Sequence, residues 1–128
     1  MNLKEVSAAI IEKNGLILIT RRAKGEKLAG FWEFPGGKRE GSETIEQCLV
    51  RELKEELDVE VVTNGILGES DYHYSGGAIK LIGVYARIVS GNIKMTVHDS
   101  FEWVSPKDLL SYELAPADVP LAKMLIQK

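Results

Sequence analysis

Glu52, Glu55 and Glu56 are spaced i, i+3, i+4, which makes side chains neighbours on one helix surface. Three clustered carboxylates repel one another unless a cation sits among them. An all-oxygen donor set suits a hard ion such as Mg2+ or Mn2+ rather than zinc. Laid out at about 100° per residue, Ile45, Cys48, Leu49, Leu53 and Leu57 share one apolar arc. Glu52 and Glu56 fall inside that arc and Glu55 just off its edge. An ordinary amphipathic helix puts its carboxylates on the opposite face. Carboxylates turned toward a core are costly unless paired, protonated or metal-bound. A helix merely laced with surface ion pairs does not account for this placement.

The element that must carry these groups is a helix over about residues 45–57. Thr44 is suited to its N-cap, and Gln47 completes a capping box. Ahead of it, Pro35-Gly36-Gly37 offers backbone that can take shapes closed to other residues and approach a ligand closely. A Gly-rich loop feeding a helix N-terminus is a ready anion site. A phosphate-friendly loop beside a carboxylate cluster points to phosphate chemistry.

Residues 37–59, GKREGSETIEQCLVRELKEELDV, resemble the Nudix box. The matches are Gly37, Glu43, Arg51, Glu52, Leu53, Glu55, Glu56 and Val59. Asp58 stands where the family has Gly, a residue that ends the helix in the left-handed conformation. Asp tolerates that region better than most residues, so the expectation is a modest cost in stability and no loss of activity. The flanks, including WEFPGGKREG, look like the MutT-type branch, and the resemblance spans nearly the whole chain. It implies an α/β fold, a Nudix-type α/β/α sandwich with a mixed sheet, in one domain over residues 1–128. The implied reaction is metal-assisted hydrolysis of a nucleoside triphosphate to monophosphate and pyrophosphate. Glu52, Glu55 and Glu56 would hold Mg2+, or Mn2+ in its place, with a carbonyl from Gly36 or Gly37. Glu52 is the family-based choice for taking the proton of the attacking water. Arg51 would orient the glutamates by ion pairing, with Glu43 in support.

Beyond the glutamates and Arg51, each candidate has two readings. Arg21 and Arg22 face opposite ways on a strand. By similarity to MutT-type enzymes Arg22 is the phosphate or sugar ligand; otherwise both are solvated surface arginines. Lys38 either meets phosphate or is simply solvated. Phe34 either stacks on a base or belongs to the core. Tyr74 shares a strand face with Tyr72 and either walls a base pocket or packs across strands. The segment 115–120, APADVP, resembles the substrate-reading stretch of MutT-type enzymes, closest to their CTP pyrophosphohydrolase-like members. There Asp118 replaces an Asn of the oxidised-guanine enzymes; alternatively it is a helix N-cap. Near His98-Asp99 the family often places another carboxylate. Asp99, His98 and Glu102 are candidates, and in one register the position falls on Val97.

The chain has 128 residues, a net charge of −3 and a pI near 5.4. That charge argues against a stable nucleic-acid complex, but not against a free nucleotide whose phosphates a metal screens. No run reaches membrane-spanning length, so the expected location is the cytoplasm, as a monomer or homodimer. Cys48 is the one cysteine and is expected to be a packed core thiol. Strands are expected over residues 6–11, 16–20, 32–34, 59–67, 69–74, 78–89 and 101–104. A helical turn over 106–110 and a helix over 118–126 complete the pattern. Two rivals remain at this level: a hydrolase of the same fold acting on another diphosphate-linked substrate, and a non-catalytic nucleotide-binding module. The second would be expected to lose box glutamates, and none is missing.

Overall fold

The computed structural model describes residues 3–128. β1 (Lys4–Lys13) and β2 (Leu16–Arg22) form a hairpin. Both turn residues, Asn14 and Gly15, have positive φ, 53° and 79°, the twist that two-residue hairpin turns need. Then come β3 (Trp32–Glu33), α1 (Ile45–Leu57), β4 (Glu60–Tyr74), β5 (Gly77–Ser90), β6 (His98–Val104) and α2 (Val119–Ile126). The strands form one mixed sheet in the order β3-β2-β1-β5-β4, with β6 also paired to β2. β1 and β5 run parallel; the other pairings are antiparallel.

β1 is buried on both sides, and its alternation feeds two cores. Ala8 and Ile10 join Ile17, Ile19 and Leu81 beneath Leu121, Ala122 and Leu125 of α2. Ala9 and Ile11 join Leu18, Ile82 and Val84 beneath Leu49, Leu53 and Leu57 of α1. One helix covers each face of the sheet, so the chain is the expected α/β/α sandwich. No helix among the described residues is long and apolar enough to cross a membrane.

The hairpin has only two rungs, Glu12–Ile17 and Lys13–Leu16. Beyond them β1 and β2 part. β5 holds one edge of β1 and β6 one edge of β2, which leaves two inner edges open. Residues 32–39 occupy both. β3 pairs with β2 through Thr20–Glu33 and Arg21–Trp32. The chain then crosses to β1, where Ala9 N donates to Pro35 O (2.7 Å), Ser7 N to Gly37 O (2.8 Å) and Arg39 N to Glu5 O (2.9 Å). This splice delivers Pro35-Gly36-Gly37 to the middle of the sheet.

Several elements differ from the sequence reading: β1 and β2 run longer than expected, and β6 begins at His98, not 101. Strands broken near Gly68 are expected, but β4 is continuous over Glu60–Tyr74. Its register shifts between Thr63 and Ile66 and again between Ile66 and Gly68, so bulges absorb the glycines as bends. A Cβ at Gly68 would meet Met124 Sδ at 2.7 Å; the bare backbone lets α2 lie on the strand. The C-terminal helix starts at Val119, one residue later than expected, after a 3₁₀ turn over Pro116–Asp118.

The ends of α1 follow the sequence reading. Gln47 N donates to Thr44 Oγ1 (3.1 Å) and Thr44 N donates to Gln47 Oε1 (2.8 Å), a complete capping box. Asp58 closes the helix at φ 56° and ψ 38°, its N–H donating to Lys54 O. A side chain in this conformation is strained, and the exposed Lys54–Asp58 pair at 3.1 Å returns little. Asp58→Gly is therefore expected to stabilise the fold by about 0.5–1 kcal/mol, read as a Tm rise of a few degrees without change in activity.

Candidate active site

The face of α1 that turns to the sheet carries Leu49, Leu53 and Leu57, each fully buried. Burying each leucine contributes about 1.5–3 kcal/mol, enough to hold a helix that also brings carboxylates inward. Glu52 and Glu56 are indeed half-buried on this side, whereas the Glu55 side chain is 55% exposed. Cys48 is buried as expected and donates through Sγ to Gly37 O (3.3 Å). Burial pushes its thiol up, away from the reactive thiolate.

Arg51 ties the cluster together. It grips Glu43 with two bonds, Nη2 to Oε1 (2.7 Å) and Nε to Oε2 (3.1 Å). Nη1 donates to Glu55 Oε1 (2.8 Å) and Glu52 Oε1 (3.0 Å), and Nη2 also donates to Lys38 O (3.1 Å). The hydrogen bonds from Arg51, with that from Glu40 N, hold the Glu43 carboxyl down at about 2.

The glycines work differently from the sequence reading. Neither Gly36 nor Gly37 has positive φ, so neither is there for an unusual backbone shape. Both are there for close approach. A Cβ on Gly36 would strike the Ser7 carbonyl, and one on Gly37 would strike the Glu52 carboxyl. The loop also does not feed the helix N-terminus. It lies against the middle of α1, at Cys48 and Glu52, so an anion site at the helix start is not formed there. Gly37 O already accepts from Ser7 N, Ser7 Oγ and Cys48 Sγ. Gly36 O accepts no bond from any described residue, which makes it the better oxygen donor of the two. The Lys38 side chain is exposed, and its carbonyl, not its ammonium, is built into the cluster.

Glu56 Oε1 is buried and has no hydrogen-bond partner. Burial, then the charges of Glu52 and Glu33, push the Glu56 carboxyl up to about 8. Burial also pushes Glu52 up, against the pull of Arg51. A buried oxygen left unsatisfied calls for a partner, and a cation is one that an oxygen can accept. Among the described residues no three His, Cys, Asp or Glu side chains form a ready-made cage. The donors still fit a hard divalent ion: Glu52, Glu56, the neighbouring Glu55 and the unengaged Gly36 carbonyl, all oxygens.

β3 extends the site. Arg21 and Arg22 do face opposite ways. Arg21 lies over Trp32 and pairs with Asp99 at 2.7 Å. Arg22 turns to the glutamate side, where it donates to Lys27 O (3.2 Å), Glu33 Oε2 (3.4 Å) and Glu26 Oε1 (3.5 Å). Glu33 was not singled out in the sequence reading. The signal was present, since alternation sets it opposite Trp32 and Phe34 on the strand leading to Gly36. Phe34 is 3% exposed and belongs to the core under α2, so its ring offers no stacking face. Tyr72 and Tyr74 share a face and stack at 6.4 Å, with Tyr74 half exposed.

Asp118 is not a helix cap. It is in the right-handed helical conformation and its side chain makes no capping bond. The chain before it extends the ladder of β3, with Trp32 N donating to Glu113 O (2.9 Å) and Ala115 N to Trp32 O (2.8 Å). Phe34 N then donates to Asp118 Oδ2 (2.9 Å), so the carboxyl stands where a strand carbonyl would. Burial, then the charge of Glu33, push Asp118 well above the usual carboxylate range, against the Phe34 N–H bond. Oδ1 has no protein partner, yet it is not sealed from solvent. Asp99 is occupied by Arg21, Glu102 is exposed, and His98 turns inward to Glu33.

Comparison with known proteins gives a consistent picture. The model of the NUDIX domain matches residues 1–125. The CTP pyrophosphohydrolase of Escherichia coli is 41% identical over 121 residues, covering 94% of this chain and 90% of the relative. The 8-oxo-dGTP diphosphatase of Escherichia coli is 32% identical, with 98% of both chains covered. The solution structure of the E. coli ORF135 protein superposes with a TM-score of 0.87 at 39% identity, covering 99% of this chain and 91% of that one. A MutT NUDIX hydrolase from Burkholderia pseudomallei superposes with a TM-score of 0.84 at 25% identity, covering 97% and 98%.

The displaced Glu56 carboxyl has a consequence for stability. An unfolded glutamate titrates near ~4.3, while the folded one holds its proton up to about 8. Between those values the native state binds more protons than the unfolded chain, so stability falls as pH rises. Glu56→Gln cannot ionise and escapes this loss. In EDTA it should melt above the wild type at pH 8 and level with it near pH 4, as thermal unfolding across that range will read.

Proposed function

The chain belongs to the Nudix family, and from that we propose that it hydrolyses a nucleoside or deoxynucleoside triphosphate to monophosphate and pyrophosphate. Cytosine nucleotides and oxidised guanine nucleotides are the favoured substrates. The observation that carries this reading is the inward pair Glu52 and Glu56, with one Glu56 oxygen buried and unpartnered. Glu52, Glu55, Glu56 and the Gly36 carbonyl would hold Mg2+, with Mn2+ able to substitute. The cation would screen the phosphate charge and lower the pKa of the attacking water.

The rest is the work of the chain itself. Arg51 fixes Glu52 and Glu55 in place through one nitrogen, Nη1, a supporting task of the kind that metal sites depend on. Glu52, against Gly37, is the group assigned to take the proton of the water. Arg22, on the glutamate side of β2, serves the phosphates or sugar. Lys38 has an exposed ammonium within the same loop. Asp118 reads the base through Oδ1, because Oδ2 is committed to Phe34 N. Tyr74, stacked on Tyr72, is the aromatic group offered for a base in place of the buried Phe34. The names of the two Escherichia coli relatives support the substrate class.

Incubation with dCTP and Mg2+ should release pyrophosphate and monophosphate in equal amounts, followed by chromatography of the products. Orthophosphate as the first product would contradict the proposal. Glu56→Gln should lower turnover by about a thousandfold or more, because the carboxylate lost is one that would hold the cation acting on the reacting phosphate.

Asp118 makes the base preference depend on pH. The protonated carboxyl presents a donor and an acceptor, as Asn does, whereas the ionised one presents only acceptors. Cytosine offers an amino donor that a carboxylate accepts. The ratio of kcat/KM for dCTP over 8-oxo-dGTP should therefore rise with pH in the wild type. In Asp118→Asn it should be flat and lower. Kinetic constants for both substrates in both enzymes decide this, and a substrate ratio that Asp118→Asn leaves unchanged would remove Asp118 from base reading.

A further inference from the structure

His98 is sealed in the protein, its side chain 0% exposed, and the box chemistry has no use for it. Its Nε2 lies 2.8 Å from Glu33 Oε2. Its other ring nitrogen, Nδ1, is buried with no partner. A bare lone pair without a donor is a lesser cost than a buried N–H without an acceptor. That asymmetry puts the ring proton on Nε2, where it donates to Glu33.

The local backbone is shaped for this contact. β2 and β6 pair regularly until Arg21–Ser100, and the next rung is Arg22–His98, skipping Asp99. The extra residue is a β-bulge, a device that re-aims side chains and recurs beside active sites. Here it places His98 opposite Arg22, and both side chains converge on the same oxygen, Glu33 Oε2. Glu33 is the residue before Phe34, whose N–H holds Asp118, and lies three before Gly36. Its charge is felt by both Glu56 and Asp118. One carboxylate is therefore within electrostatic reach of the hydrolytic glutamates and of the base-reading acid.

We infer that His98 is a positioning residue: through its Nε2–H it fixes the Glu33 carboxylate, with Arg22, within reach of the hydrolytic cluster and of Asp118, so that Glu33 presents one orientation to the bound nucleotide. This rests on the hydrolytic reading above. His98 does not touch the nucleotide; it acts through Glu33. With one Glu33 oxygen held by two donors, the other is kept in a fixed direction.

The experiment compares His98→Leu, which removes the donor at similar bulk, with His98→Gln, which can return an N–H near the Nε2 position. Glu33→Gln and the double variant His98→Leu/Glu33→Gln complete a cycle. The readout is kcat/KM for dCTP and 8-oxo-dGTP. Expected is a loss of about tenfold in His98→Leu with an altered ratio between the substrates, and recovery to within about threefold in His98→Gln. The double variant should be no worse than Glu33→Gln alone, since the contact is already gone. A purely structural histidine would lower Tm while leaving the substrate ratio unchanged, and its loss would add to that of Glu33→Gln; either result overturns the inference. Nitrogen-15 NMR of the wild type without substrate gives an independent reading, valid even if the leucine variant does not fold. The Nε2–H form supports the inference and the Nδ1–H form overturns it. A wild type inactive on both nucleotides would overturn the hydrolytic reading and with it any role of His98 in substrate selection, the NMR result then deciding only the contact to Glu33.

Discussion

A single guanidinium, that of Arg51, makes the acidic cluster possible. Glu43, Glu52 and Glu55 all accept from it, and Lys38 O accepts as well. Without it, carboxylates on adjacent helical turns would repel one another and splay toward solvent. A lysine would not replace it, because an ammonium is a point donor and cannot grip Glu43 with two bonds while reaching Glu52 and Glu55. The charge is partly spent: Glu43 is fully satisfied, whereas Glu56 receives nothing from Arg51 and is left with a bare oxygen. The arrangement is rigid around Arg51 and unsatisfied at Glu56, where the proposed cation would bind.

That unsatisfied end depends on a second constraint, the parting of β1 and β2. A hairpin zipped along its whole length would leave no edge for residues 32–39. Because it stops after two rungs, one short segment inserts Glu33, the Phe34 N–H and Gly36-Gly37 into the sheet in sequence. Close packing then dictates the residue types. Gly36 must pass the Ser7 carbonyl and Gly37 the Glu52 carboxyl. The Phe34 N–H needs an acceptor, and the Asp118 carboxyl, arriving from the far end of the chain, provides it.

Three acids, Glu33, Glu56 and Asp118, are thus held near one another with limited access to water. Each would be more comfortable alone and solvated. Their proximity is sustained by the apolar packing of α1 and α2 on the two faces, and it raises Glu56 and Asp118 above ordinary carboxylates. Strain of this electrostatic kind is common where a site must bind a charged partner.

The sequence alone determined the secondary structure of α1 to its ends, because capping, periodicity and the left-handed stop are local properties of consecutive residues. It also determined that Glu52 and Glu56 face inward and that Arg21 and Arg22 part, since both follow from helical and strand periods. The sandwich was legible through the resemblance carried by residues 37–59, which also implied the glutamate roles proposed above. Tertiary structure decided what depends on residues distant in the chain. Phe34 is core, not a stacking platform, because its strand face meets α2. Gly36 and Gly37 are small because of what lies beside them, not because of their φ angles. Asp118 is an in-plane partner of Phe34 and no helix cap, since 84 residues separate the two. Glu33 and His98 meet across 65 residues and through a bulge, and no period in the sequence reports a bulge, because it is set by which strands pair and in what register.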